Sequence, residues 1–268
     1  MSGFPNARLP SSFQQAKAFG AFAVLVAGHL PFLTAHAQEP PMPKSNSPVV
    51  VLTKIATPWY APRFIVVRKF RETLADYDRL PGLDFKYYTI SSGDNKFGGL
   101  YLWKDRASAK AWFSEAWSAN VLKTRGAPAE VHYFEAPVLL DNVPAGSPTP
   151  GEDGMATASI VSIKTPPGVT HDQLIEGFKK AVPDYQKVPG LLRKYFTISD
   201  DGRFGGVYLW ADRASADRFF NMAWRERVAR TYGTDGIIEF FDAPVVLASK
   251  LQRPAEIAER LVGSNAAR

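Results

Sequence analysis

Cysteine is absent from the 268-residue chain, which excludes disulfides, zinc–thiolate centres, iron–sulfur clusters, thiolate-ligated haem and a cysteine nucleophile. Histidine is scarce, with four in all. His29 and His36 fall in an N-terminal stretch with the features of an export signal, and His132 and His171 lie in separate halves without metal-ligand spacing. Charge of one sign is never concentrated: 32 Lys and Arg are interspersed with 26 Asp and Glu, for a net charge of +6. That pattern gives no basic run or single-sign face and argues against a nucleic-acid partner. There is no serine-nucleophile motif, no phosphate-cradling glycine loop after a strand, no EF-hand and no His-Glu-x-x-His helix. What is present, 46% hydrophobic and 22% charged residues, is an ordinary globular composition with enough material for one large or two small cores.

Residues 1–37 read as an export signal. Arg8 and Lys17 occur there without any acid, and the apolar stretch Ala18–Gly28 follows. That stretch is too short to cross about 30 Å of hydrocarbon as a helix, and Ala35-His36-Ala37 has the small-x-small form of a cleavage site. The expectation is an exported, periplasmic or secreted protein without a stable membrane anchor. No Arg-Arg pair marks the twin-arginine route. Loss of Arg8 and Lys17 lowers the net charge from +6 to +4.

The rest of the chain is one unit written twice. Pro81-Gly82-Leu83 recurs as Pro189-Gly190-Leu191, and Phe97-Gly98-Gly99-Leu100-Tyr101-Leu102-Trp103 recurs as Phe204-Gly205-Gly206-Val207-Tyr208-Leu209-Trp210. From Pro81 to Phe113 and from Pro189 to Phe220, at least 20 of 32 aligned positions are identical, where unrelated sequences would give about two. The repeat is the size of a small domain, so the chain divides into a first unit over 49–140, a Pro-, Gly- and acid-rich linker over 141–158, a second unit over 159–248 and a tail over 249–268.

Both units have the same order of elements. Val49–Ile55 and Ser159–Ile163 are β-branched runs that stop at Thr57-Pro58 and Thr165-Pro166. Val67, Phe70, Leu74 and Tyr77, like Ile175, Phe178, Val182 and Tyr185, define one face of a single helix. Thr170 and Gln173 have capping-box spacing, and Pro183 is expected to kink the last turn. Strands are expected at Leu83–Ser91 and Leu191–Ser199, and hairpin partners at Gly98–Trp103 and Gly205–Trp210. Asp105 and Asp212 are placed to cap a second helix carrying Phe113 and Trp117, or Phe220 and Trp224. A last strand, Val131–Phe134 or Ile237–Phe241, is expected to end at Ala-Pro-Val. The order βαββαβ defines an α+β fold with both helices on one face of an antiparallel sheet. The bare face, which carries Phe85, needs a cover. Two tandem ferredoxin-like βαββαβ units packing sheet to sheet supply it as an intramolecular α+β barrel, a monomer with an internal pseudo-dimer.

The βαββαβ order, the Pro-Gly-Leu turn with a lysine three residues after the leucine, and the Gly-Gly-x-Tyr-Leu-Trp strand followed by Asp-Arg-Ala-Ser-Ala resemble the YdhR-like monooxygenase family of the dimeric α+β barrel superfamily. The likeness spans Val49–Leu140 and Ser159–Ala248. It implies kinship with antibiotic-biosynthesis monooxygenases, which oxidise phenolic polycycles with dioxygen and no cofactor, and with haem-degrading proteins; other such barrels only bind ligands.

Alternate residues of a strand share a face, so Tyr101 points with Trp103, and Tyr208 with Trp210. If that face looks towards the helices, Trp117 and Trp224 line the same space; such rings make either an aromatic ligand pocket or simply a core. Lys86 and Lys194 are odd choices for apolar strands. Each shares its strand face with Tyr88 or Phe196, and is either a residue snorkelling at the sheet rim or a charge that stabilises a phenolate or enolate able to react with dioxygen. His132, whose counterpart is Glu239, is a candidate base or axial haem ligand in one half only. His171 is expected exposed, in the first turn of its helix. The Gly98-Gly99 and Gly205-Gly206 pairs suit close backbone approach or a bulge. Lys86, Lys194, Tyr101 and Tyr208 are thus the catalytic candidates, and Trp103, Trp210, Trp117, Trp224, Tyr88 and His132 the substrate-binding ones. No metal or cofactor is expected. Two functions follow: a monooxygenase-like protein acting on a small aromatic or phenolic compound, or a non-catalytic binding protein for a small apolar or haem-like ligand.

Overall fold

Strand β1 (Val49–Ala56) is followed by α1 (Arg63–Glu72), α2 (Leu74–Asp78), β2 (Leu83–Ser91), β3 (Lys96–Trp103), α3 (Arg106–Trp112), α4 (Glu115–Arg125) and β4 (Ala129–Asp141). The second unit repeats this as β5 (Thr157–Lys164), α5 (His171–Tyr185), β6 (Leu191–Ser199), β7 (Arg203–Trp210), α6 (Arg213–Phe219), α7 (Met222–Tyr232) and β8 (Ile237–Leu247). The computed structural model describes residues 47–143 and 156–247. The expected export signal, the C-terminal tail and most of the linker lie outside the described residues.

All eight strands form one closed antiparallel barrel in the order β1-β3-β2-β8-β5-β7-β6-β4. Its interior is a single cluster drawn from both units, with Val50, Leu52, Phe85, Tyr87, Leu100 and Leu102 meeting Ala158, Ile160, Tyr195, Val207, Leu209 and Phe241. The bare faces cover each other, as the unmatched apolar face required. On the pseudo-twofold axis Arg193 stacks on Phe85, its own counterpart, at 4.2 Å. Its guanidinium donates to Asp141 Oδ2 at 2.9 Å and to Tyr87 Oη at 2.8 Å, so the buried cation is paired across the two units.

The strands expected to end at Ala-Pro-Val do not end there. Residues 129–135 of β4 pair with β1, whereas its distal part pairs with β6, with the register shifting between Glu135 and Val138. In the same way β8 pairs with β5 over 237–242 and then with β2 as far as Leu247, with a shift around Ala243-Pro244. Proline has no N–H for the ladder and tolerates a bulge. Each proline therefore marks the corner where a strand leaves its own sheet and joins the other, which closes the barrel.

The helices also differ from expectation. The first helix of the first unit is broken at Thr73, whose hydroxyl donates to Phe70 O at 2.9 Å and bonds Tyr88 Oη at 2.8 Å. Its counterpart α5 runs unbroken through Pro183 to Tyr185, behind the capping box of Thr170 and Gln173. The second helix is two pieces in both units. Asp105 and Asp212 cap α3 and α6 through Ser108 N and Ser215 N, and Ser114 or Asn221 then caps a new helix through the amide of Trp117 or Trp224. The break turns the chain at Phe113 and Phe220, which drop into the cores beneath.

Candidate active site

Each unit encloses a cavity between its helices and the outer face of its sheet. The first, about 460 Å³, is bounded by α1, α2 and α4 above β2 and β3. The second, about 540 Å³, lies under α5 and α7 above β6 and β7. Lys86 lines the first and Lys194 the second. A bulge between Leu83 and Phe85, repeated between Leu191 and Arg193, shifts the strand by one residue. Without it Phe85 would face the helices and the lysine would enter the barrel interior.

Both lysines are only 2% exposed, so neither snorkels at a rim. Lys86 Nζ lies 3.0 Å from the ring centre of Tyr77, 3.7 Å from Tyr88 and 4.8 Å from Tyr101. Lys194 Nζ lies 3.2 Å from Tyr185, 4.1 Å from Phe196 and 4.4 Å from Tyr208, and it donates to Tyr208 Oη at 2.8 Å. Burial, reinforced at Lys86 by the positive charge of Arg125, holds both amines well below the usual lysine range. The uncharged amine, which can accept a proton, is favoured. Burial, with Tyr77 next to Tyr101 and Tyr185 next to Tyr208, pushes both of these phenols well above the ordinary tyrosine range. They stay protonated beside the amines.

The glycine pairs make this arrangement possible. A Cβ on Gly206 would stand 3.2 Å from both Lys194 Cε and Tyr208 Cε2, and one on Gly99 would stand 2.9 Å from the Tyr101 ring. Each tyrosine lies back over the glycine two residues before it. At Gly98 and Gly205 a Cβ would meet the carbonyl oxygens of Thr53 and Val161 at 1.9 and 2.0 Å, so those positions serve close strand approach.

The remaining candidates divide. Tyr88 and Trp117 line the first cavity and Trp224 the second, while Trp103 and Trp210 line neither. These two share the correct face but sit farther along the strand, packed against Phe113 at 6.0 Å and Phe220 at 5.6 Å. They are core, which corrects their placement among substrate-binding residues. His132 is also corrected: its side chain is 51% exposed, near Glu130 at 3.8 Å, and outside both cavities. A haem in either cavity gains no ligand from it. His171 opens α5 as expected and contacts Glu135 Oε2 at 2.8 Å. No group of three metal-ligating side chains occurs among the described residues. Sequence reasoning missed Tyr77 and Tyr185 as site residues, although their recurrence nine residues before each lysine was visible. It also missed Trp112, which lines the first cavity with its indole nitrogen buried and without a hydrogen-bond partner; the second unit has Phe219 there.

Residues 163–245 match the family model "Putative mono-oxygenase ydhR". No curated protein matches. Among solved structures, a "putative monooxygenase" from Lactobacillus acidophilus NCFM is 11% identical with a TM-score of 0.54, covering 76% of this chain and 97% of its own. Another from Fusobacterium nucleatum subsp. nucleatum ATCC 25586 is 9% identical with a TM-score of 0.56, covering 76% and 95%. An "anthrone oxidase-like protein" is 12% identical with a TM-score of 0.50, covering 79% and 97%. The second unit thus carries the pattern of the YdhR family over residues 163–245, and the whole barrel shares the α+β fold of these solved structures.

Proposed function

We propose that this is a monooxygenase-like enzyme that oxidises a small aromatic or phenolic compound with dioxygen, without a cofactor, at one site in each unit. The observation that carries this reading is the caged lysine: in both cavities a buried amine lies against aromatic rings, and among the described residues no carboxylate forms an ion pair with it, although Asp76 lines the first cavity and Glu176 and Asp184 the second. A phenol entering the cavity gives its proton to Nζ of Lys86 or Lys194. The ammonium so formed is stabilised by the faces of the surrounding rings and by the phenolate it has created. Tyr208 Oη accepts a hydrogen bond from Lys194 and is also hydrogen-bonded to Tyr185, so the incoming phenolate oxygen competes with Tyr185 for the Tyr208 proton; in the first unit Tyr101 stands opposite Lys86 across the hairpin, hydrogen-bonded to Tyr77 and Thr53.

The phenolate passes one electron to dioxygen, and recombination of the radical with superoxide forms a carbon–oxygen bond at an electron-rich ring carbon. The ammonium returns its proton to the peroxide. Loss of the ring hydrogen and cleavage of the O–O bond then release water and leave a carbonyl. One phenol and one dioxygen give one quinone and one water, and the substrate supplies all four electrons. The features of residues 1–37 support export, and the possession of both units in one chain supports a monomer.

The test is oxygen uptake with a panel of phenols and anthrone-like compounds, without added metal. Lys86→Met/Lys194→Met should lower uptake by about 10²- to 10⁴-fold, the usual worth of a positioned base. If no compound gives uptake above that variant, the enzyme reading falls. Unchanged binding of an aromatic ligand in the variant would then favour a binding protein.

A further inference from the structure

The first unit carries a surface that its duplicate lacks. Trp59, Tyr60 and Phe64 are 94%, 69% and 68% exposed, and the rings of Trp59 and Tyr60 meet edge to face at 5.7 Å. They occupy the β1–α1 loop and the first turn of α1. Tyr60 also lines the first cavity, so an exposed ring stands at its mouth. Across residues 57–71 the chain has Arg63, Arg68, Lys69 and Arg71, all exposed, and no acid. The equivalent stretch 165–179 has Asp172, Glu176 and Lys179, with Pro-Pro-Gly-Val where the aromatic loop stands. Asp242 and Glu72 pair with part of the positive charge but leave an excess.

The second unit builds the same fold without these rings, so the fold does not require them. Three large exposed rings in one short stretch are unusual for a surface that meets only water. Indole and phenol rings favour the headgroup level of a bilayer, a phenyl ring favours the acyl boundary, and adjacent Arg and Lys favour anionic headgroups. We infer that Trp59, Tyr60 and Phe64, with the cations of α1, dock the first unit on an anionic lipid bilayer, so that the ligand of the first cavity enters from the membrane. The second cavity takes its ligand from water.

Binding to vesicles of phosphatidylglycerol and phosphatidylcholine, or of phosphatidylcholine alone, tests this without any substrate, so its outcome is separate from that of the oxygen-uptake experiment. The full chain should sediment with the anionic vesicles and much less with the neutral ones. Trp59→Ala/Phe64→Ala, which touches only exposed side chains, should weaken that binding about tenfold or more, and Arg68→Glu/Arg71→Glu should abolish the preference for anionic lipid. A full chain that stays in solution with both vesicles overturns the inference. So does binding that survives Trp59→Ala/Phe64→Ala unchanged, or that is equal on the two lipids.

Discussion

In the second unit Trp210 donates its indole hydrogen to Ser159 at 2.9 Å; in the first, Val51 stands where Ser159 would be, and the equivalent Trp103 nitrogen is buried without a partner. The same contrast recurs around the amines. Lys194 is bonded to Tyr208, whereas Lys86 is surrounded by three tyrosine rings and feels the charge of Arg125. One first helix is continuous and the other is broken at Thr73. Yet both units keep a lysine at 2% exposure, a tyrosine opposite it across the hairpin and a glycine beneath that tyrosine. Two copies that have diverged in caps, helix continuity and buried hydrogen bonds retain an amine whose burial is costly. A merely structural lysine would be expected to drift to an apolar residue in at least one copy.

The largest effect should come from the glycines that the two units share. Gly98→Ala and Gly205→Ala each drive a Cβ into a neighbouring carbonyl oxygen, and each should cost about 3 kcal/mol or more, read by denaturant unfolding. Similar losses at the two sites would show that the strands are equivalent; a tolerated change in one unit would break the comparison.

The lysines should behave oppositely. Lys86→Met and Lys194→Met replace a buried amine that makes no ion pair by an apolar chain of similar length and should stabilise the fold by about 1–3 kcal/mol, less at Lys194, where the hydrogen bond to Tyr208 is also lost. Because the folded-state pKa of each lysine lies below its unfolded value, the unfolded chain binds more protons between the two. Wild-type stability should therefore gain from these groups as pH rises towards about 10.4. The buried tyrosines oppose this only above about pH 10, where the unfolded chain loses their protons first. From pH 7 to about 9.5 the stability advantage of the methionine variants should shrink. A constant advantage would mean the amines are not perturbed.

The smallest effects concern the tryptophans. Ser159→Val should cost about 1–2 kcal/mol by orphaning Trp210. Val51→Ser offers Trp103 the missing acceptor but gives up buried apolar surface, and should change stability by less than about 1 kcal/mol. A large loss in Val51→Ser together with a neutral Ser159→Val would reverse the reading of this pair.

Much of the fold was legible because duplication doubles every signal: the β-branched runs, the Pro-Gly turns and the caps at Asp105 and Asp212 occur twice in register. Lys86 and Lys194 stood out because a charge in an apolar strand conflicts with its surroundings. Their side of the sheet was less secure, since alternation counted from Leu83 or Leu191 gives the wrong face unless the bulge is known. Trp103 and Trp210 satisfied the alternation rule and still missed the cavities, because a shared face does not specify position along the strand. The corners at Pro137 and Pro244 were invisible for a related reason: the residues beyond them pair with the other unit, and no local pattern reports a partner so distant in sequence.

In the proposed reaction the two caged amines act as bases towards a phenol. The most direct measurement is the absorption spectrum of 4-nitrophenol bound to the protein at a pH below its solution pKa, where the free compound is mostly neutral. Binding to the wild type should produce the phenolate band, halve it in either single Lys→Met variant and abolish it in Lys86→Met/Lys194→Met while the compound still binds. Nitrophenol bound only in its neutral form, or a phenolate band unchanged in the double variant, would contradict the claim.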